Sequence, residues 1–190
     1  MNNDNLFNLI EFMCGLLDKA DVVYAITGSV ASSVYAQPQF SWALDVCVQV
    51  SPAKLSAFLA ALPNRVYHDD DAIREAAARN SMHNLIVNQT GLKVDLSFLP
   101  GEGYLGGILA RRRQVNFGQK GQMFWAVSPE DIVLMKLLWR KDTHSEKQWE
   151  NALAVVQSLG VKLEWPYLHR WADQLGLSDD LERLKMDAGI

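Results

Sequence analysis

Apolar positions recur along this chain with two different periods, and the switches between them mark its elements. In "LFNLIEFMCGLL", Leu6, Ile10, Met13 and Leu17 share one face at helical spacing, so the chain opens with an amphipathic helix. "VVYAIT" (22 to 27) is a short β-branched run ending at Gly28 and reads as a strand. "SVASSVYA" follows, with small residues and a serine start suited to a helix packed close to a sheet. "ALDVCVQV" is a second strand, and Ser51 with Pro52 opens "PAKLSAFLAAL" as the next helix. Asp69, Asp70 and Asp71 lead a further helix, where negative charge favours the N-terminal end. "HNLIVNQTGLKVDLSFL" reads as two strands joined around Asn88 to Gly91 in a hairpin. From "SPEDIVLMKLLWRK" onward the pattern is helical. That segment has a serine cap and Pro129 at its first position, Ser145 to Gln148 repeats a capping-box pattern, and "WPYLHRWADQLG" and "SDDLERLKMDAG" follow. The chain therefore divides into a mixed α and β part over residues 1–127 and a helical part over 128–190, an α+β arrangement.

The strand pattern also sorts side chains by face. Leu44, Val46 and Val48 point one way and form the core set, while Ala43, Asp45 and Cys47 point the other. In the second strand of the hairpin, Leu92, Val94 and Leu96 point inward, and Lys93, Asp95 and Ser97 outward. Each strand thus delivers one aspartate, a residue disfavoured in strands, to a face outside the core. The plain alternative is that both are solvated strand residues.

Composition narrows the class of protein. With 190 residues, 49% of them apolar, the chain supports one sizeable core. A formal net charge of −4 argues against a broad electrostatic grip on nucleic acid. The basic run, Arg111, Arg112 and Arg113, reads first as a helix end or strand edge, with contact to a nucleotide phosphate or an RNA backbone as the alternative. Cys14 and Cys47 have neither metal-site nor disulfide spacing, which fits a reducing cytoplasm. The first twenty residues lack the basic region and cleavage site of a leader, and no run approaches membrane-spanning length, so no membrane association is expected. His68, His83, His144 and His169 show no metal spacing. Of six tryptophans, Trp125, Trp139, Trp149, Trp165 and Trp171 read as core or inter-helix packing, with base stacking as the lesser alternative, while Trp42, beside the altered strand, is the exception, a ring placed to fill the pocket or line the nucleotide.

Gly28 and Ser29 sit where a strand gives way to a helix, a place where free N–H groups and the helix dipole seat a phosphate. The order strand, Gly-Ser, helix, "YAQPQFSWALDV", then "KVDL" resembles the nucleotidyltransferase superfamily in its small bacterial form with a helical C-terminal part. "HNLIVNQTGLKVDLSFL", "ARRRQV", "SPEDIVLMKLLW", "SEKQWENAL" and "YLHRWADQLGLSDDLER" look like successive blocks of that family, so the resemblance covers nearly the whole chain. It implies a mixed β-sheet flanked by helices and followed by a C-terminal helical bundle. It also implies a nucleoside triphosphate as ligand and magnesium as cofactor.

Members of the family carry Gly-Ser, then Gly-x-Pro-Arg-x-Thr running into Asp-x-Asp, and a third aspartate on a neighbouring strand. On that pattern Gly28 and Ser29 match the phosphate-binding pair, Asp45 the second aspartate and Asp95 the third. Lys136 falls where the matching block has a lysine, a candidate phosphate contact or a snorkelling core lysine. Ser145 and Lys147 are weighed as borders of the nucleotide pocket against plain capping and solvation. The first aspartate is replaced by Ala43. Ala36, Gln39 and Ser41 stand for the family's glycine, arginine and threonine, and Asn151 for a further aspartate.

The family's reaction uses two magnesium ions, roughly 3.5 to 4 Å apart, drawn together by bridging carboxylates. Ala43 removes one bridge. The first reading is therefore a protein that binds a nucleoside triphosphate with magnesium through Asp45 and Asp95 but transfers weakly or not at all. A second is an active enzyme in which Asp69, Asp70 or Asp71 replaces the missing ligand and the acceptor is a small molecule, RNA or protein. A third is a non-catalytic scaffold. The acceptor, the base and the oligomeric state are not readable from the residues.

Overall fold

The computed structural model describes residues 3–38, 41–116 and 121–190. Among them the strands are β1 (Val23–Ile26), β2 (Ala43–Gln49), β3 (Val66–Tyr67), β4 (Met82–Val87), β5 (Leu92–Phe98), β6 (Arg113–Asn116) and β7 (Met123–Ala126). They join in one sheet in the order β3-β4-β5-β2-β1-β7-β6. The β1–β2, β3–β4, β4–β5 and β6–β7 pairs are antiparallel, whereas β2–β5 and β1–β7 run parallel, so the sheet is mixed. The strands expected over 22–27 and 43–50, and the hairpin closing at 88–91, form within a residue or two of their expected ends. The short edge strand β3 and the β6–β7 ribbon are additions. "RQVN" has too little apolar alternation to announce a strand, and it forms one by pairing with β7.

One face of the sheet carries Leu44, Val46, Val48, Leu85, Val94 and Leu96, each at most 2% exposed. Helices α1 (Asn3–Lys19) and α3 (Pro52–Ala61) cover it, with Leu17, Leu55 and Phe58 meeting Val48 and Leu96. Helix α4 (Asp70–Ala78) packs against α3 and β4. The other face lies under α2 (Gly28–Tyr35) and α6 (Pro129–Thr143). That cover buries Cys47 completely, which corrects the expectation that the whole Asp45 face is free of core. Burial pushes the Cys47 thiol up to about 12, so it stays protonated and unreactive.

Helix starts follow local chemistry where the backbone allows. The side chains of Ser51, Asp69 and Ser128 accept the N–H groups of Lys54, Ala72 and Asp131 at 3.4, 3.0 and 3.2 Å. Ser145 precedes α7 (Glu146–Leu159) but makes no such bond. Helix α2 begins at Gly28, one residue before the expected serine. Thr27 at its N-cap makes no capping bond either; its hydroxyl lies 3.9 Å from Met135 Sδ.

The basic run locks α6 in place. Arg111 closes a 3₁₀ turn (Ile108–Arg111) that follows the short helix α5 (Gly103–Gly107), and Arg113 opens β6. Arg113 reaches Glu130 Oε2 at 3.1 Å, and Arg111 lies 3.6 Å from both Glu130 and Asp131. From α8 (Trp165–Leu175), the Tyr167 hydroxyl donates to Asp131 at 2.6 Å while the Arg111 guanidinium covers the Tyr167 ring. Both acids are fully buried in the first turn of α6, where the helix dipole favours negative charge. Two of the three arginines are thus committed to fixing the helix that carries Lys136.

Candidate functional site

Parallel pairing of β2 and β5 sets Asp45 directly beside Asp95. Register partners on neighbouring strands share a face and lie roughly 4.8 Å apart along the hydrogen-bonding direction, so the two carboxylates converge on one side of the sheet. Asn84 of β4 is the next residue in the same row, and on the other side the Thr27 N–H donates to the Asp45 carbonyl at 2.9 Å. Like charges at this separation oppose joint ionisation. Burial, helped by Asp95, raises Asp45 from 3.8 to about 6. Asp95 is raised too, chiefly by burial, with the nearby Lys93 charge opposing the rise. Oδ1 of Asp95 is buried and has no hydrogen-bond partner.

Gly28 begins α2 against this pair. Its φ is +63°, and a Cβ at this position would overlap Oδ2 of Asp45, sit 2.5 Å from its Cγ and 2.9 Å from its Cβ. The glycine is required twice over, by backbone sign and by the carboxylate pressed against its α-carbon. The next residue supplies the contact: the Ser29 N–H donates to Asp45 and favours its charged form. Ser32 and Ser33 turn inward on the helix and donate to the carbonyls of Gly28 and Ser29 at 2.8 Å each, which lets α2 pack closely.

Three lysines face the acids. Lys136 on α6 is 4% exposed, burial lowers its pKa, and Asp45 is the charge that opposes this. Its ammonium lies 5.6 Å from the centre of the Trp139 ring. Lys147 on α7 is exposed, yet its charge acts on both Asp45 and Lys136. Lys93 is the register partner of Ala43, so an ammonium, not a carboxylate, stands beside the replaced position.

The structure therefore brings Gly28, Ser29, Asp45, Asp95 and Lys136 together. Asp69 and Asp70 are engaged elsewhere, capping α4 and pairing with His68 at 3.3 Å. Among the described residues no group of three or more His, Cys, Asp or Glu side chains is placed to hold a metal. Two converging carboxylates, one with an unpartnered buried oxygen, fit one divalent cation; they do not fit a bridged pair, because Ala43 brings no ligand. Ser41 bonds locally to the Ala43 carbonyl at 2.7 Å, Asn151 is buried in α7, and Trp42 is 65% exposed. Gln39 lies outside the described residues. Sequence reasoning listed Lys93 on the Asp95 face without seeing its partner, and it missed Asn84; only the register between strands shows either.

The seven-stranded mixed sheet with its flanking helices has the nucleotidyltransferase fold, as its likeness to solved structures shows. In a comparison of structures the antibiotic-resistance factor ANT(2'')-Ia matches with a TM-score of 0.59 at 12% identity, over 96% of this chain and 99% of that one. An antigenic nucleotidyltransferase-like protein from Paracoccidioides brasiliensis matches at 0.58 and 16%, over 98% and 94%. No family model matches the chain, and no curated protein matches it in sequence. No helix among the described residues is long and apolar enough to cross a membrane.

Proposed function

We propose that the site binds a nucleoside triphosphate together with one magnesium ion, and that nucleotidyl transfer is weak or absent. The observation that carries this is the direct pairing of Asp45 with Asp95 beside the Gly28–Ser29 turn, with a buried carboxylate oxygen left unpartnered. Asp45 and Asp95 would hold the ion, which supplies charge neutralisation of the phosphates. The Ser29 hydroxyl and the remaining N–H groups of the first turn of α2 are offered to a phosphate oxygen, while the Ser29 N–H stays on Asp45, and Lys136 and Lys147 offer positive charge from the opposite side. With Ala43 in place, the bridging carboxylate that would hold a second magnesium beside an incoming hydroxyl is missing. A loss of about 4 kcal/mol at the transition state slows a reaction about a thousandfold, so one missing ligand suffices to make transfer negligible.

The test is a titration of each nucleoside triphosphate with and without magnesium, with pyrophosphate release measured in parallel. Saturable binding that requires magnesium, without product, is the expected result. Pyrophosphate release with an added acceptor would establish an active transferase instead, and an absence of binding would leave the fold as a scaffold.

A further inference from the structure

A cavity of about 200 Å³ lies on the Asp45 face, one step along the strands from the acids. Cys47 and Ser97, its floor, are register partners two residues beyond Asp45 and Asp95, so the separation is about 7 Å. Met135, Leu138 and Trp139 of α6 form its roof, and Met82 borders it from β4. Among the described residues no charged side chain lines it, and its polar members are Asn80, Ser81 and Ser97. Met82 and Trp139 are 53% and 39% exposed, so large apolar groups stand open to water where the cavity meets the surface.

These dimensions select a class of ligand. The volume is below the roughly 300 to 1,000 Å³ of a site that takes a whole drug-sized molecule, so it suits one ring-sized end. A lining that is mainly apolar and carries no charge disfavours a charged end within the cavity and favours an aromatic or alicyclic one, which Trp139 can flank. The neighbouring acids accept hydrogen bonds, so the polar end nearest them is a donor.

We propose that this cavity holds the uncharged, ring-sized apolar end of a hydroxyl-bearing small molecule and presents its hydroxyl to Asp45 and Asp95. As an identification of the acceptor class this rests on the nucleotide reading above; as a binding site it stands on the cavity alone.

The probe is 2-phenylethanol, titrated into protein labelled with ¹³C at the methionine methyls. Saturable shifts are expected at Met82 and Met135, with Met13, buried under the opposite sheet face, and Met186, on the last helix, unmoved. Ser97→Phe fills the floor and should weaken binding at least tenfold, with an unchanged Met13 signal reporting the native fold; Leu105→Phe fills the cavity from another wall should that variant not fold. The methyl ether of 2-phenylethanol, which keeps the ring and the oxygen but has no O–H to donate, should bind at least tenfold more weakly in metal-free buffer. Equal shifts at all methyls, binding undiminished in a folded filled variant, or equal affinity for the methyl ether would overturn the proposal. Nucleotide binding is measured separately on the same sample. Response to 2-phenylethanol without nucleotide binding sinks the nucleotide reading and leaves the cavity, and the converse sinks the cavity alone.

Discussion

Replacing Asp45 with asparagine should stabilise the metal-free protein. The folded state raises the Asp45 pKa from 3.8 to about 6, first by burial and then by Asp95. The folded protein thus holds this proton more tightly than the unfolded chain does. Asp45 costs nothing below about pH 4; the cost grows as pH rises and is complete above about 6. Two pKa units correspond to about 3 kcal/mol. Asparagine is nearly isosteric, keeps an acceptor for the Ser29 N–H and carries no charge. Lys136 loses its opposing charge in the variant, which takes back part of the gain. A net gain of about 2 kcal/mol at pH 7 corresponds to a Tm rise of roughly 4 to 8 °C in a domain of this size. Equilibrium urea unfolding of both proteins in chelator, at pH 4 and pH 7, is the assay. The difference should nearly vanish at pH 4, where Asp45 is protonated in the folded state of the native protein as well. An asparagine variant no more stable than the native protein at pH 7, or a difference that does not change with pH, would refute the burial and repulsion argued for this carboxylate.

Two further outcomes follow from the same geometry. Gly28→Ala should destabilise by about 1–2 kcal/mol from the left-handed backbone alone, and it should weaken magnesium-dependent nucleotide binding by displacing the Asp45 carboxylate; urea unfolding and calorimetric titration read the two effects. Ala43→Asp should tighten magnesium binding in the presence of nucleotide. The added carboxylate stands beside Lys93, which is exposed, and such a pair is worth only about 0.2–1 kcal/mol. Adding Lys93→Ala to that variant should therefore change its magnesium affinity by no more than about fivefold, and a larger change would mean that Lys93 holds the new acid firmly.

What could be read from the residues, and what could not, follows the range of the interactions. Strand parity is local, so placing Asp45 and Asp95 on the non-core faces of their strands needed only a period of two. That the two strands are neighbours and in register is a contact across fifty residues, reached at the level of sequence only through the family resemblance. Gly28 was legible as a turn residue; the Asp45 carboxylate against its α-carbon was not, because nothing near Gly28 in sequence encodes it. Cys47 was placed correctly by parity and misjudged in burial, since the cover comes from α6, ninety residues on. Ser145 has the composition of a cap, yet its side chain makes no bond to the start of α7. The basic run was legible as a helix end and strand edge, and its acidic partners on α6 and the Tyr167 ring on α8 were not.

The charges around the site constrain how a ligand would enter it. Two carboxylates face three lysines, so the empty site carries about one net positive charge when all five groups are ionised. A bare divalent cation then meets lysine repulsion as well as carboxylate attraction, with Lys93 nearest the replaced ligand position. A polyphosphate meets the reverse: the lysines attract it, and its only repulsion comes from the acids that one cation would neutralise. If the site binds as proposed, nucleotide and metal are each weak ligands alone and favour each other, a coupling that has to be reciprocal. On the proposed reading, magnesium affinity without nucleotide is low. Each ligand should strengthen the other by the same factor, and that factor should fall when Lys147, the most solvent-exposed contributor on the helical side, is replaced by alanine.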